Sequence, residues 1–270
     1  MKFRLILFWT FVLFICFGAS GQVSILTWNL QNLGASKSDD TVKFIAETIA
    51  PYDVVALQEV VAGPNGAKAV ARLSAQLNRT GAKWNYIISD PTQGEPNHAE
   101  RYAFLYKTNR LKLIGKPQLE KHFAAQIQRE PFIATFEFKG KQFTLVNFHA
   151  LPKKKQPETE IKYFKFFARH YPDKHLVFVG DFNCIPKHSV FNPIRSQGYI
   201  PAFENQKTTL KNECKQDQCL ANAYDNIWFD SAKAGLTESL VIHFYNIFDS
   251  MKLARKISDH IPIIAVLNLF

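Results

Sequence analysis

The stretch Leu176–Asn183, LVFVGDFN, decides how this chain is interpreted. A short run of apolar and β-branched residues leads through a glycine into Asp181, and Asn183 follows two residues later. A run of this length and composition predicts a buried strand. A single acid after a strand is usually a solvated loop residue, so the pattern has to repeat before it indicates a functional site.

The same arrangement, in which a polar residue adjoins the end of an apolar run, recurs at six further places. These residues are Asn29 after SILTW, Glu59 after VVALQ, His149 after TLVNF, Glu100 with Arg101 before YAFLY, Asp225 with Asn226 before IWF, and Asp259 with His260 before IPII. Seven such placements on seven strands are hard to attribute to chance. If these strand ends meet at one edge, their side chains form a pocket rich in carboxylates, with amides and two imidazoles.

Such a pocket predicts a metal-dependent hydrolase. Carboxylates packed closely together repel one another unless a divalent cation neutralises them. Oxygen and amide ligands without thiolate suit Mg²⁺, or else Mn²⁺ or Ca²⁺. A hard cation with two histidines suits the hydrolysis of a phosphate ester, because one imidazole can activate water while a second group protonates the leaving oxygen. The sequence contains no G-x-S-x-G elbow, Walker loop or dinucleotide fingerprint, which disfavours other common chemistries.

Composition and element order favour one globular α/β domain over residues 22–270. The chain has 270 residues, of which 47% are hydrophobic and 14% aromatic, and this excludes a disordered chain, a collagen-like repeat and a coiled coil. Strands are predicted at Val23–Trp28, Val54–Leu57, Tyr102–Tyr106, Phe143–Phe148, Leu176–Val179, Ile227–Phe229 and Ile261–Leu269. Amphipathic helices are predicted at Asp39–Ile49, Ala67–Leu77 and Glu158–Arg169. Together with a hairpin turn at Lys139-Gly140-Lys141, this order predicts α/β layers with a mixed sheet.

Residues 1–21 have the layout of a secretory signal peptide. Lys2 and Arg4 precede the apolar run Leu5–Phe17, and small residues follow it. The run is shorter than the roughly 20 residues of a membrane span, so we expect cleavage after Ser20 or Gly21 and a secreted or periplasmic location. An uncleaved N-terminal anchor is the alternative. Loss of two basic residues lowers the net charge from +10 to +8, and this excess favours polyanions such as nucleic acid or an anionic membrane surface.

Export places the remaining cysteines in an oxidising compartment, where a disulfide can persist. Cys214 and Cys219 lie in the polar segment KNECKQDQC, and we expect a local bridge between them, with Cys184 as a buried free thiol. A bridge between Cys184 and Cys219 is the alternative. No cysteine pair has metal-ligand spacing with a histidine, so a zinc site is not expected.

In chain order, the segments WNLQN, LQEV, NFHALP, VGDFN, YDNI and SDHIP resemble the endonuclease/exonuclease/phosphatase superfamily from residue 24 to the C-terminus. Two more segments, ERYAFLYK at Glu100–Lys107 and REPF at Arg129–Phe132, favour its deoxyribonuclease I branch. The resemblance implies a four-layer α/β sandwich, with two mixed central β-sheets flanked by helices and the site at one rim. It also implies an endonuclease that hydrolyses DNA with low sequence specificity, works as a monomer and has no stable protein partner.

The resemblance implies a role in metal and phosphate binding for five residues. Glu59 matches the metal-holding glutamate of LQEV, assisted by Asn29 and Asp259. Asp181 and Asn183 match the pair that orients the nucleophilic water and a phosphate oxygen.

The resemblance also implies a pair of histidines with opposite functions. His260 is the expected general base and is oriented by Asp225. His149 is the expected general acid or phosphate-stabilising donor, with Glu100 as its partner. The arginines expected to reach the nucleic-acid backbone are Arg129 and, nearby, Arg101.

Three points stay open in the sequence. His98 stands where relatives have a tyrosine, two residues before Glu100. The run Lys153-Lys154-Lys155 is interpreted either as a solvated approach to a helix or as a contact for backbone phosphate. A phosphodiesterase or phosphatase for lipid or inositol phosphates is the alternative function. A third possible function is that of a binding or toxin subunit that has lost catalysis. The intact set of polar residues at the strand ends argues against this third function.

Overall fold

The structure is a computed structural model that describes residues 21–93 and 99–270. The predicted signal peptide, apart from Gly21, and His98 lie outside the described residues. The strands are β1 Gln22–Leu33, β2 Val54–Val61, β3 Trp84–Ile88, β4 Glu100–Lys107, β5 Lys112–Leu119, β6 Phe132–Phe138, β7 Lys141–His149, β8 Leu176–Asp181, β9 Tyr199–Pro201, β10 Leu210–Lys215, β11 Gln218–Leu220, β12 Asp225–Asp230, β13 Ala234–Val241 and β14 Ile263–Leu269. The α-helices are α1 Asp39–Ile49, α2 Pro64–Leu77, α3 Glu158–Ile161, α4 Phe167–His170, α5 Asn192–Arg195 and α6 Met251–Ile257, and short 3₁₀ turns occupy Lys153–Lys155, Phe164–Phe166, Ser189–Phe191 and Phe244–Ile247.

Two six-stranded sheets form the centre of the fold. Their strand orders are β13-β14-β1-β2-β4-β3 and β5-β6-β7-β8-β12-β9. Each sheet is mixed, because β1 pairs in parallel with β2 and β7 with β8, whereas their other neighbours are antiparallel. The inward faces of the two sheets share one apolar core; α1, α2 and α6 cover the outer face of the first sheet, and α3, α4 and α5 that of the second. The predicted four-layer α/β sandwich is thus confirmed.

The inward face of each central strand changes from apolar to polar near one edge of the sheets. On β7, Leu145 belongs to the core between the sheets, and the next inward positions are Asn147 and His149. On β8, Val179 belongs to the same core and the next inward position is Asp181. Because strand side chains alternate between faces, the polar residues continue the core rather than interrupt it. The pocket therefore forms where the core between the sheets ends.

One predicted helix is wrong. Residues 158–169 were expected to form a continuous helix, but the structure has α3, a 3₁₀ turn at Phe164–Phe166 and then α4. The ring centroids of Phe164 and Phe167 lie 4.7 and 5.7 Å from that of Phe178 on β8. Packing of both rings against one strand residue overrides the weak intrinsic preference for a continuous helix.

The predicted disulfide is confirmed. Cys214 and Cys219 are bonded across the β10–β11 hairpin, and Cys184 is free and buried. This excludes the alternative bridge between Cys184 and Cys219 for the described structure. Within residues 21–93 and 99–270, no helix is long and apolar enough to cross a membrane.

Candidate active site

The side chain of Asn29 connects the two sheets at the floor of the pocket. Its Nδ2 donates hydrogen bonds to Glu59 Oε1 (3.0 Å) on β2 and to Asp181 Oδ2 (3.1 Å) on β8. Its Oδ1 accepts a hydrogen bond from the backbone N–H of Gln31 (3.0 Å). Asn29 is fully buried, so these contacts hold the two acids close together without exposing the amide.

Glu59 reaches the pocket through an unusual backbone conformation. The pairing of β2 with β4 shifts register between Leu57 and Val60, and Glu59 within this bulge has a φ of +56°. A residue other than glycine in this left-handed region is strained and persists only when its surroundings hold it there. Glu59 Oε2 accepts a hydrogen bond from the backbone N–H of Asn32 (3.2 Å), and the side chain is 24% exposed. The carboxylate of Glu59 is thus partly exposed, and the β-bulge in β2 orients it towards the pocket.

The GDFN segment begins with a glycine, Gly180, because the backbone there leaves no room for a side chain. Its φ is +136°, and a Cβ atom added there would lie 1.9 Å from the carbonyl oxygen of Phe148 on β7. This close approach accompanies the register that pairs His149 with Asp181. Asn183, also left-handed with a φ of +47°, donates its backbone N–H to Asp181 Oδ1 (2.9 Å).

His149, Glu100 and Arg129 form a buried group on one side of Asp181. His149 Nδ1 lies 2.9 Å from Glu100 Oε2, and Arg129 Nη1 donates to the same oxygen (3.1 Å). A carboxylate only accepts, so the contact with Glu100 needs a proton on His149 Nδ1. Arg129 Nη1 also lies 3.0 Å from this Nδ1, and a guanidinium only donates, so the two contacts favour opposite tautomers of a neutral His149. The other nitrogen, Nε2, faces Asp181 Oδ2 at 3.5 Å.

The charges in this group offset the effect of burial. Burial alone would raise the pKa of Glu100, but the charges and hydrogen bonds of His149 and Arg129 outweigh it, and the pKa lies below its ordinary value. Burial and the charge of Arg129 lower the pKa of His149, yet Glu100 and Asp181 oppose them, and the pKa lies above its ordinary value. The net effect of these opposing charges favours the protonated form of His149.

His260 and Asp225 form the matching pair on the other side. His260 Nδ1 lies 2.7 Å from Asp225 Oδ2, and His260 Nε2 lies 3.6 Å from Asp181 Oδ2. Burial lowers the pKa of His260, but the charges of Asp225 and Asp181 outweigh it and raise the pKa to about 10. Burial raises the pKa of Asp225, although His260 partly opposes this. Asp225 Oδ1 has no hydrogen-bond partner among the described residues.

Two arginines predicted to contact nucleic acid are held by the protein itself. Arg129 is 8% exposed, and its Nη2 donates a hydrogen bond to the carbonyl of Ala150. Arg101 is half-buried, and its Nε and Nη1 donate to the carbonyls of Ala62 (2.8 Å) and Ser89 (2.6 Å). The observed contact of Arg129 is with Glu100, and contact of either arginine with nucleic acid stays a prediction.

The pocket offers carboxylates that fit a hard divalent cation. Asp181, Asp225 and His260 each offer a ligand atom, all within 4.8 Å of one another, and Glu59 adds a more open carboxylate nearby. Asp259, with a side chain 27% exposed, lies 3.5 Å from Arg255 Nη2. Asn29 turns its amide nitrogen, not its oxygen, towards the acids, so its role as a ligand stays a prediction.

Lys37 and Ser258 were missed by the sequence interpretation. Lys37 is 5% exposed, and its Nζ donates to the carbonyls of Lys256 (3.1 Å) and Ile257 (2.8 Å) at the end of α6. Burial lowers its pKa to about 8, against the opposing charges of Asp259 and Glu59. Ser258 Oγ donates to the carbonyl of Asn29 (2.5 Å) and accepts from the backbone N–H of His260 (2.9 Å). Both residues hold the turn that carries Asp259 and His260, and no periodic pattern marks either.

A second group of potential ligands lies next to Asn183. Glu158, Cys184 and His188 are close enough to share an ion. His188 Nδ1 accepts the backbone N–H of Val190 (3.1 Å), so a neutral His188 carries its proton on Nε2, facing Glu158 Oε1 at 3.5 Å. Burial raises the pKa of the Cys184 thiol to about 11. His188 is thus engaged with Val190 and Glu158, and the raised pKa keeps the Cys184 thiol protonated, which does not favour a metal at this group.

Comparison with known proteins agrees with this geometry. Residues 26–260 match the Endonuclease/Exonuclease/phosphatase family. A deoxyribonuclease of Thioalkalivibrio sp. (strain K90mix) is 28% identical over 267 residues, which cover 91% of this chain and 71% of that protein. Deoxyribonuclease-1 of Equus caballus is 27% identical over 268 residues, covering 90% and 91% of the two chains.

Among solved structures, the mannosyl-6-phosphatase of Bacteroides thetaiotaomicron VPI-5482 superposes with a TM-score of 0.63 at 16% identity, covering 91% of this chain and 99% of that one. A likeness at this identity shows the shared fold alone. The match over residues 26–260 leaves out β14 and the first residues of β1 but includes every pocket residue. The chain therefore belongs to the Endonuclease/Exonuclease/phosphatase family.

Proposed function

We propose that this chain is an exported, divalent-metal-dependent endonuclease that hydrolyses DNA phosphodiester bonds with low sequence specificity. The observation that carries the proposal is the pair of imidazoles facing Asp181, each held at Nδ1 by its own carboxylate. Such a pair suits a reaction that needs one proton acceptor and one proton donor. The names of the two deoxyribonuclease relatives and the basic net charge of +10 support DNA as substrate.

In this proposal His260 takes a proton from the attacking water through Nε2, which requires that the bound cation lower the pKa of about 10 that His260 has without metal. Asp225 fixes the tautomer and the ring orientation of His260 by its hydrogen bond to Nδ1. Asp181 and Asn183 orient the water and a phosphate oxygen. Asp181 is suited to this role because it is buried and ionised: burial raises its pKa, but the charges of His260 and His149 outweigh this and lower it.

His149 serves the leaving oxygen or a phosphate oxygen through Nε2. Glu100 holds its ring, and Arg129 holds Glu100. Glu59, Asp259 and Asn29 are proposed to hold Mg²⁺, with Mn²⁺ or Ca²⁺ as substitutes. When bound, the cation would neutralise phosphoryl oxygens and lower the pKa values of nearby imidazoles.

Export, a secreted or periplasmic location and a monomeric state without a stable protein partner are part of the same proposal. The Cys214–Cys219 disulfide supports export, because disulfides persist mainly in oxidising compartments. Separation of secreted, periplasmic and cytoplasmic fractions, with mass determination of the mature N-terminus, tests the location and the cleavage after Ser20 or Gly21.

Plasmid nicking by the mature protein tests the activity. We expect conversion of supercoiled DNA to open circles with Mg²⁺ and none with EDTA. A lipid phosphodiester and an inositol phosphate serve as comparison substrates, since this fold also occurs in a sugar phosphatase. Hydrolysis of either comparison substrate with intact plasmid would overturn the proposal in favour of the phosphodiesterase or phosphatase alternative. Inertness of a folded protein towards all three would support a subunit without catalysis.

A further inference from the structure

Three polar side chains separate the core between the sheets from the pocket. On β1, β2 and β7 the inward apolar series ends with Thr27, Gln58 and Asn147, and each of these residues is 0% exposed. We call these three residues the inner polar layer. A buried amide is costly unless its hydrogen bonds are satisfied, so the contacts of this layer have to be accounted for.

The amides of the layer bond to each other across the two sheets. Gln58 Nε2 donates to Asn147 Oδ1 (2.6 Å) and to Thr27 Oγ1 (3.0 Å). Asn147 Nδ2 donates to the backbone carbonyl of Leu57 (3.1 Å) on β2. Asn147 lies in the second sheet and these partners lie in the first. The layer is therefore a hydrogen-bonded bridge between the sheets.

The bridge attaches at the places that set the pocket geometry. Leu57 is the last residue before the register shift of β2, and Gln58 directly precedes the left-handed Glu59. Asn147 lies two residues before His149 on the same strand. Glu59 Oε1 lies 3.9 Å from His149 Nε2. The hydrogen bonds of Asn147 thus connect its own strand, which carries His149, to Leu57 and Gln58, which directly precede Glu59.

We propose that Gln58 and Asn147 are positioning residues that set the separation between the Glu59 carboxylate and the His149 imidazole. The proposal rests on the proposed function, because it assumes that these two groups act on one phosphate. Apolar residues of similar volume could fill the same space without loss of stability, so stability alone does not explain two buried amides here. Displacement of a reacting group by about 1 Å can lower the rate about 10²-fold. A bridge that fixes the positions of Glu59 and His149 would therefore affect the rate of the reaction.

The test uses Gln58→Met, Asn147→Leu and the double variant. Each single variant leaves one buried amide without its partner, and we expect a lowered melting temperature. The double variant removes both amides, and we expect a melting temperature at or above that of either single variant. At saturating DNA and Mg²⁺, its kcat is expected to fall at least tenfold while its KM for DNA changes less than twofold.

The matched control is the double variant Thr135→Val and Thr144→Val. These hydroxyls form a buried hydrogen bond (2.9 Å) between β6 and β7 on the outer face of the second sheet, away from the pocket. Its kcat is expected to stay within twofold of the wild type, whatever its melting temperature. A folded Gln58→Met, Asn147→Leu variant with wild-type kcat would overturn the proposal.

A readout without turnover separates this proposal from the proposed function. Imidazole C–H resonances of His149 and His260 are recorded by NMR in EDTA for the wild type and both double variants. We expect the bridge variant to shift the His149 signal and the control variant to shift neither. If the wild type fails to cleave DNA but the His149 signal still moves, the proposed function fails, and only the structural coupling between the bridge and His149 is supported. An unmoved His149 signal with unchanged kcat overturns the positioning role.

Discussion

The carboxylate of Asp181 places its Oδ2 atom 3.6 Å from Nε2 of His260, the nitrogen not engaged by Asp225. The same oxygen lies 3.5 Å from Nε2 of His149. One ionised oxygen thus faces two imidazoles whose opposite nitrogens are each held by another acid. The two rings make similar contacts with acids but differ in their surroundings, because Arg129 lies beside both His149 and its carboxylate partner.

The first prediction concerns the two imidazoles. His149→Ala and His260→Ala should each lower plasmid-nicking turnover at least about a hundredfold, the range expected for loss of one proton-transfer group. The double variant should be little worse than the more damaging single one, because groups that act as a unit are not additive. Melting temperatures should stay near the wild-type value. Near-normal turnover in either folded variant would remove that histidine from the mechanism.

The second prediction concerns the carboxylate partners. Asp225→Asn and Glu100→Gln keep the shape of each pair but lose the charge that holds the imidazole. Each should therefore reproduce part of the loss seen for its own histidine, measured by the same nicking assay. An Asp225→Asn variant with full activity would show that the orientation of His260 does not depend on this hydrogen bond.

The third prediction separates metal binding from stability at Glu59. Both Glu59→Gln and Glu59→Gly should abolish Mg²⁺-dependent nicking, because a negative ligand is lost. Glu59→Gly should melt at a higher temperature than Glu59→Gln in EDTA, since glycine adopts the φ of +56° without steric cost. Thermal unfolding checks the order. A glycine variant that melts below the glutamine variant would show that the backbone at this bulge is not strained.

The fourth prediction concerns Gly180. Gly180→Ala should be severely destabilising, because its Cβ atom would meet the carbonyl oxygen of Phe148 and its φ of +136° is unfavourable for alanine. Gly140→Ala is the matched control, since Gly140 also has a positive φ but nothing lies within 4 Å of its added Cβ. Urea unfolding should show a much larger loss at Gly180 than at Gly140. Equal losses would mean that the close approach of β7 and β8 is unimportant.

The fifth prediction concerns the basic segment Lys153–Lys155. If it touches backbone phosphate, exchange of all three lysines for glutamine should weaken DNA binding and flatten its log–log salt slope by up to about 0.9 per lost contact. Lys112 and Lys116 on the edge strand β5 provide a control exchange that should leave the slope unchanged. An unchanged slope in the triple variant would show that these lysines do not contact backbone phosphate.

The sequence predicted those site residues that follow or precede a regular apolar run, and missed those that have no such pattern around them. Residues at the ends of apolar runs, such as Asp181 and His149, lie at paired strand ends as expected, because strand periodicity is strong where one face is buried. Gln58 and Asn147 carry no such signal, since a single amide inside an apolar run looks like an exception. The burial of Arg129 could not be predicted either, because its partners Glu100 and Ala150 come from distant parts of the chain.

The placement of the pocket on strands has a consequence for its motion. Asn29, His149, Asp181 and Asp225 lie within the paired, buried strands of the two sheets. Their backbone amides should therefore exchange with solvent deuterium about as slowly as those of the central core, which opens only on global unfolding. The pocket side chains would be in place before a substrate arrives. Adaptation to different substrates is then left to the connecting loops, which can change without disturbing the strands.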